Sequence, residues 1–560
     1  MNQANHEPRR VRVGDYLIER LRDYGVAHVF GVPGDFILTF FKRIEESPLT
    51  LVNTCDEQGA GFAADAYARI RGLGVVCVTY GVGGLKIANS TGQAYAEESP
   101  VIVISGAPGL AERAQHPMLH HKIRWYNTQL RVFEQITAAA IVLSDPETAG
   151  RDIDRALATA ARQKRPVYIE LPRDMVDVEI EIEPARPAPV VASDPGTLAA
   201  AIAEATARIA NARQPIVVIG VEVHRFGLAD EVLELIERAG LPAAVTLLDK
   251  SSIGERHPNF IGVYAGRMGR EEVRAYVESS DCAVFLGTLM TDLNLGGYTA
   301  QLDPMRVIHA TRGRLAIGYH TYERVDLADF VVGLAAAQLP KRDLSHIPRP
   351  APVSSLPSGN PAAPITVAHL FARLAGALNE QTLVIADTGD ALFAAADLPV
   401  PRSPGFLSPA YYASLGFAVP AAIGAQLAAP DARPLVLVGD GAFQMTGVEL
   451  STAVRYGLNP IVIVLNNDGY STERFILDGS FNDILRWHYH RLPELLGAGR
   501  SFLVQTEGDL DLALTAAMAT TDTYCLLDVQ LDPHDISPAL HRLTERLGHA
   551  ASRTGGEAAI

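Results

Sequence analysis

Apolar runs of strand length, rich in Val and Ile, recur along the whole chain and alternate with stretches whose apolar residues return at helical spacing. AHVFGV, LTLVN, GVVCVTY, PVIVISG and PVYIELP occupy the first third. PIVVIGVE, AAVTLL, CAVFLG and MRVIHA follow in the middle, and TLVIADTG, PLVLVGDG, PIVIVLNND and TYCLLDVQL in the last third. Helix-length segments such as PAAIGAQLAA and GVELSTAVRYG separate them. A strand that is apolar at every position has no solvent face, so it belongs in a parallel sheet covered by helices on both sides. The pattern predicts an α/β fold three times over, each a mostly parallel sheet flanked by helices.

Two seams interrupt the alternation. IEIEPARPAPVVASDPG (180–196) and LPKRDLSHIPRPAPVSSLPSGNPAAP (339–364) are rich in Pro and Ser and carry neither strand nor helix periodicity. They predict domains at 1–185, 195–340 and 363–540, followed by a polar tail, 541–560, that ends in ASRTGGEAAI.

Composition narrows the function classes. With 48% hydrophobic and 20% charged residues the chain can bury several cores, and its 560 residues exceed what one core organises. A formal charge of -16 repels phosphate backbones and anionic lipid, so neither nucleic acid nor a membrane is an expected partner. The N-terminal MNQANHEPRRVRVGDYL lacks the apolar core of a signal peptide, and no run reaches the roughly 18 apolar residues of a membrane span. A cytoplasmic location is expected. Cys55, Cys77, Cys282 and Cys525 are widely spaced with no CxxC pair, which predicts free, reduced thiols.

Ligands of parallel α/β sheets lie beyond the carboxyl ends of the strands. The residues there are Asp35 after VFGVPG, Glu57 after LVNTCD, Thr388 and Asp390 after VIAD, Asp440 after LVLVG, and Asn467 after IVIVLN. Asp440 stands between two glycines at the end of an apolar strand, where an unpaired charge is costly. Asn467 follows 27 residues later, one strand-helix-strand unit on, so the two strand ends neighbour each other. A carboxylate and an amide oxygen are hard ligands for magnesium or calcium, ions that share coordination with phosphate oxygens. Gly439 and Gly441 let backbone N–H groups approach a phosphate. The pattern predicts a divalent cation clamping a diphosphate.

GDG followed at this spacing by LNND resembles the cofactor motif of thiamine diphosphate enzymes. LVNTCDEQGAGFAADAYARIRG, with Glu57 ahead of a helix carrying Ala60, Ala63, Ala64 and Ala68, resembles their pyrimidine-binding domain. Together with GVPGDF, QHPMLHHKIRWYN and LNNDGYSTE, these motifs resemble the pyruvate decarboxylase family over nearly the whole chain, including the indolepyruvate and phenylpyruvate decarboxylases. The resemblance implies nonoxidative decarboxylation of a 2-keto acid, aryl or branched-chain, through a cofactor ylid and enamine. Its cofactors would be thiamine diphosphate and Mg2+, and its assembly a homodimer paired into a homotetramer.

By the same resemblance Glu57 serves the aminopyrimidine of the cofactor, while Asp35, His120, His121 and Glu473 form the acid-base set. Asp440, Asn467 and the Gly469 carbonyl hold the metal. Thr388, Asp390, Ala413, Ser414, Leu415, Gly439, Gly441, Ala442 and Tyr470 complete the cofactor contacts, and Leu415 bends the cofactor. Thr472 and Ile476 line the substrate pocket, where Thr472 replaces a bulkier apolar residue and leaves room for a larger side chain. Asp390 stands where the pyruvate branch has threonine, and Ala442 replaces a hydroxyl. Asp292, in MTDLN, reads as a loop or cap carboxylate, and the middle domain has no GxGxxG, so no flavin is expected there. The alternatives are a carboligase using the same cofactor and, from another class, a noncatalytic cofactor-binding protein, which absence of Glu57 or the histidines would favour.

Overall fold

The computed structural model describes residues 9–182, 192–349 and 359–544. The most proline-rich parts of both seams, 183–191 and 350–358, and the end of the tail, 545–560, lie outside them. The chain forms two compact units. The described residues within 1–189, with 420–430 and 448–456, make up one; those within 190–419, 431–447 and 457–560 make up the other. Two segments inside the expected third domain thus group with the first.

The first unit holds a six-stranded parallel sheet in the order Thr50–Asn53, His28–Gly31, Gly74–Val78, Val101–Ala107, Val167–Pro172, Ala139–Val142. Arg9–Arg12 and Glu179–Ile182 pair antiparallel as a separate ribbon. Every residue of Gly74–Val78, Val101–Ala107 and Val167–Pro172 is buried, as strands covered on both faces require. One large apolar cluster, running from Val13 through Phe40 and Ile104 to Ile180, packs against this sheet.

The second unit holds two sheets. A seven-stranded sheet runs Phe260–Tyr264, Ala243–Thr246, Pro215–Ile219, Cys282–Leu286, Val307–Thr311, Arg314–Ile317, His320–Tyr322, and its last two strands are antiparallel. A six-stranded parallel sheet runs Phe406–Leu407, Thr382–Ala386, Arg433–Gly439, Ile461–Asn466, Cys525–Gln530, Arg500–Val504. In chain order its strands are arranged second, first, third, fourth, sixth, fifth, as in the first unit. Strand order therefore reverses between the first and third strands of both sheets, and there the diverging connections leave a crevice.

Each buried Val, Leu or Ile side chain contributes about 1.5–3 kcal/mol. Leu435, Val436, Leu437 and Val438 are all at most 1% exposed, so this strand alone can offset one uncompensated polar group at its end. Among the described residues Cys77, Cys282 and Cys525 are free and buried, while Cys55 is free but exposed in the loop before Glu57. No helix among the described residues is long and apolar enough to cross a membrane.

Candidate active site

Three of the expected acid-base residues come together in the first unit. Asp35 follows the strand His28–Gly31, and His120 Nε2 lies 2.7 Å from its Oδ2. His121 Nε2 is 3.9 Å from Asp35 Oδ1. Consecutive side chains on an extended backbone point apart, but His121 has φ +65°, and this left-handed residue turns its ring back toward the same carboxylate. A non-glycine residue in such a conformation costs of order 1–3 kcal/mol and persists where the surroundings enforce it. Phe36 stacks on His120 with ring centroids 4.8 Å apart. Gly81 supports His121 from below: a Cβ there would lie 2.5 Å from the His121 carbonyl oxygen, so only glycine allows the two loops to meet.

That supporting loop is itself tied down. Gly81 N–H donates to Gln129 Oε1 at 2.7 Å, and Gln129 Nε2 donates to Ser105 Oγ and Tyr168 OH. Its next turn approaches Glu57, since a Cβ on Gly83 would sit 3.4 Å from Glu57 Oε1. Glu57 opens the helix Glu57–Arg71 behind the N-cap Asp56 and has Lys86 Nζ 3.3 Å from its Oε2. Glu449, 1% exposed, accepts from the backbone N–H groups of Cys55 and Asp56, both at 3.1 Å, and from Thr452 Oγ1. It fixes the turn that aims Glu57, and burial raises its pKa.

The second unit opens a cavity of about 350 Å³ at the reversal point of its parallel sheet. Of the expected residues, Thr388, Asp390, Ala413, Leu415, Gly439, Asp440, Gly441, Ala442, Asn467, Gly469, Tyr470, Thr472 and Glu473 line it, whereas Ser414 and Ile476 do not. Asp292 also lines it, with its Oδ1 accepting from Leu293 N–H, so the carboxylate caps a turn and reaches the wall.

Asp440 is 1% exposed and makes no ion pair among the described residues, the Arg486 guanidinium acting on it only at longer range. Its oxygens accept from the N–H groups of Gly441 at 2.8 Å and Asn467 at 3.1 Å. Burial outweighs these bonds and pushes its pKa up to about 7. The Asn467 amide nitrogen donates to Ser471 Oγ, which turns the amide oxygen away from that partner. A Cβ on Gly469 would lie 2.2 Å from the Asn482 carbonyl, so glycine alone lets this loop close beside Asp440. The hydroxyls of Thr388 and Thr472 on the cavity wall are buried with no hydrogen-bond partner among the described residues. A buried carboxylate short of positive charge, with orphaned hydroxyls nearby, fits a cation-clamped polar ligand.

Three features of this cavity were not anticipated from the sequence. Asp387, 0% exposed, accepts from Thr388, Gly416 and Ala418 N–H groups, and burial lifts its pKa to about 7. It binds the end of one strand to Gly416 and Ala418, directly after the Ala413–Leu415 stretch in which Ala413 has φ +59°. Asp387 ends the same apolar run that pointed to Thr388 and Asp390, so the strand-end rule could have found it. Asp390 accepts from Ser537 N–H at 2.9 Å and from the Ser537 hydroxyl; its pKa is pushed up to about 6 by burial. That bond fastens the segment 537–544, helical from 538, whose Leu543 joins the cavity wall. Part of the expected tail is thus structural, and no periodicity in so short a stretch signals it.

Comparison with known proteins agrees with this geometry. Profiles described as the N-terminal TPP binding, central and C-terminal TPP binding domains of thiamine pyrophosphate enzymes match residues 11–125, 202–334 and 387–529. The indole-3-pyruvate decarboxylase of Azospirillum brasilense is 38% identical over 552 residues, 97% of this chain and 100% of that protein. Alpha-keto-acid decarboxylases of Mycolicibacterium paratuberculosis and Mycobacterium bovis are each 36% identical, over 95% of this chain and 96% of theirs. The chain belongs to the thiamine pyrophosphate enzymes, in their family of 2-keto acid decarboxylases.

Proposed function

We propose that this enzyme converts 2-keto acids with aryl or branched side chains into the aldehyde and carbon dioxide, with thiamine diphosphate held through Mg2+. The observation that carries this reading is the cavity in which Asp440 and Asn467 stand on the same wall system as Thr472 and Glu473. One end suits a metal-bound diphosphate and the other a reacting carbonyl.

Thiamine diphosphate, when bound, supplies the carbon nucleophile and the electron sink. The chain supplies the rest. Asp440, the Asn467 amide oxygen and the Gly469 carbonyl would ligate the cation, and the N–H groups of the Gly439–Ala442 turn would meet the diphosphate. Glu57, fixed by Glu449 through the turn before it, would accept and return a proton at the aminopyrimidine. Asp35 orients the His120 imidazole by their 2.7 Å contact, so His120 can donate or take up a proton at the substrate while His121 shares the carboxylate. Glu473 on the cavity wall would exchange the remaining proton. Thr472 leaves space where a bulkier residue would restrict the pocket to small substrates, and the names of the relatives above accord with this.

We also propose a homodimer, paired into a tetramer, in which each cofactor is completed by residues from two copies. Leu477, Phe481, Leu485 and Trp487, just beyond Glu473, are 64%, 68%, 78% and 44% exposed, an apolar stretch that a second copy would cover. The free cysteines favour the reducing cytoplasm. A panel of 2-keto acids assayed for carbon dioxide and aldehyde, with and without an acceptor aldehyde, tests the reading. Aryl or branched acids should exceed pyruvate in kcat/KM. Pyruvate exceeding all of them would refute the pocket argument, and hydroxyketone as the main product without added acceptor would favour the carboligase.

A further inference from the structure

The Asp35, His120 and His121 cluster has a geometry that proton transfer alone does not require. Both imidazoles direct Nε2 at one carboxylate, at 2.7 and 3.9 Å from opposite oxygens, and one ligand atom from each residue falls within 4.8 Å of the others. A tetrahedral zinc ion with bonds of about 2.0–2.2 Å to nitrogen and oxygen separates its ligand atoms by about 3.3 Å, between the two observed distances. With all three ligand atoms within 4.8 Å of one another, closing to that spacing takes changes in separation of at most about 1.5 Å. Their side chains are 41%, 59% and 27% exposed, so a hydrated ion can reach them. Three ligands on one side leave the opposite positions open, the facial arrangement of two histidines and one carboxylate. The left-handed His121 and the Phe36 stack hold both rings in place beforehand, which lowers the ordering cost of capture.

We propose that Asp35, His120 and His121 form a binding site for a divalent transition metal such as zinc, separate from the Asp440 cation site. Nitrogen ligands exclude Mg2+ and Ca2+ from it and favour Zn2+, Ni2+ and Cu2+. Because a ligated imidazole nitrogen cannot carry a proton, occupancy would reversibly inhibit turnover; this consequence rests on the proton-transfer reading above, whereas the binding does not.

The test uses the holoenzyme with thiamine diphosphate and saturating Mg2+, titrated with zinc alone and read by equilibrium dialysis, with Co2+ absorption as a second measure of ligand geometry. One zinc per chain is expected beyond any that exchanges with magnesium. His120→Ala, His121→Ala and Asp35→Ala should each weaken it at least tenfold, since even outer-shell changes at metal sites cost 10–100-fold in affinity. His488→Ala, at an exposed histidine elsewhere, should leave it unchanged. Wild-type zinc affinity retained by all three cluster variants, or no zinc bound beyond the magnesium site, would overturn the proposal. Zinc that binds and is lost with the cluster, yet leaves turnover intact, would uphold the site and instead refute the proton-transfer role.

Discussion

Removing the charge of Asp440 should stabilise the cofactor-free protein at alkaline pH while destroying its grip on the cation. In the folded chain this carboxyl ionises near pH 7, and in the unfolded chain near its ordinary 3.8. Between those values the folded state holds the extra proton, so the stability of the apoprotein falls as pH rises from about 4 to about 7. At 1.36 kcal/mol per unit, the displacement corresponds to about 4 kcal/mol by pH 8. Asp440→Asn has no such term. Its amide retains one acceptor for two N–H groups, a deficit of about 1–3 kcal/mol that does not vary with pH. The difference between wild type and variant should therefore move by about 4 kcal/mol between pH 4 and pH 8 whatever its offset.

Hydrogen exchange in the strand Arg433–Gly439, which reports local opening free energy, measures this without assuming that the whole chain unfolds in one step. A difference that stays flat within about 1 kcal/mol across the range would refute the reasoning. The same ionisation governs loading, because the cation must displace the proton. Affinity for Mg2+ with thiamine diphosphate, followed by calorimetry, should be constant above pH 7 and fall about tenfold per unit below it.

Glu57→Gln should lower kcat by at least 100-fold with cofactor binding and circular dichroism preserved, because the amide cannot carry the proton; near-normal turnover would exclude the role. Asp390→Ala leaves the Ser537 N–H and hydroxyl buried without their acceptor, a loss of about 1–3 kcal/mol, and should release the segment 537–544. Limited proteolysis should then cut near Ser537, accompanied by a higher KM as Leu543 leaves the cavity wall, and unchanged protease resistance would show that the bond does not hold the segment.

Most strands that periodicity reveals lie inside their sheets, LTLVN at the edge Thr50–Asn53 being an exception, whereas those it misses lie at the margins. GVVCVTY, PVIVISG, PIVVIGVE, CAVFLG, PLVLVGDG and PIVIVLNND became interior strands, buried throughout or nearly so, and such a run has few other uses. The missed strands lie at or next to sheet margins: Arg9–Arg12, Ala139–Val142, Glu179–Ile182 (whose last three residues fall in the expected seam), Phe260–Tyr264, Arg314–Ile317, His320–Tyr322, Phe406–Leu407 and Arg500–Val504. A marginal strand needs less burial, so its composition approaches that of a loop. The site divides along the same line. Asp35, Glu57, Asp440 and Asn467 can be singled out from sequence because each follows an apolar run, and a parallel sheet presents such positions at its own carboxyl edge.

Glu449, Lys86, Ser537 and Leu543 follow no apolar run, and distant chain segments bring them to their places. Asp390 shows why this matters for function. Read by its sequence neighbours it is an expected cofactor contact; by its hydrogen-bond partners it anchors the C-terminal segment, 147 residues away, beside the cavity. A strand-end carboxylate can be found from sequence, but whether it faces a ligand or another part of the chain depends on which hydrogen-bond donor reaches it. Here the donors are a backbone N–H and a hydroxyl that local pattern does not reveal.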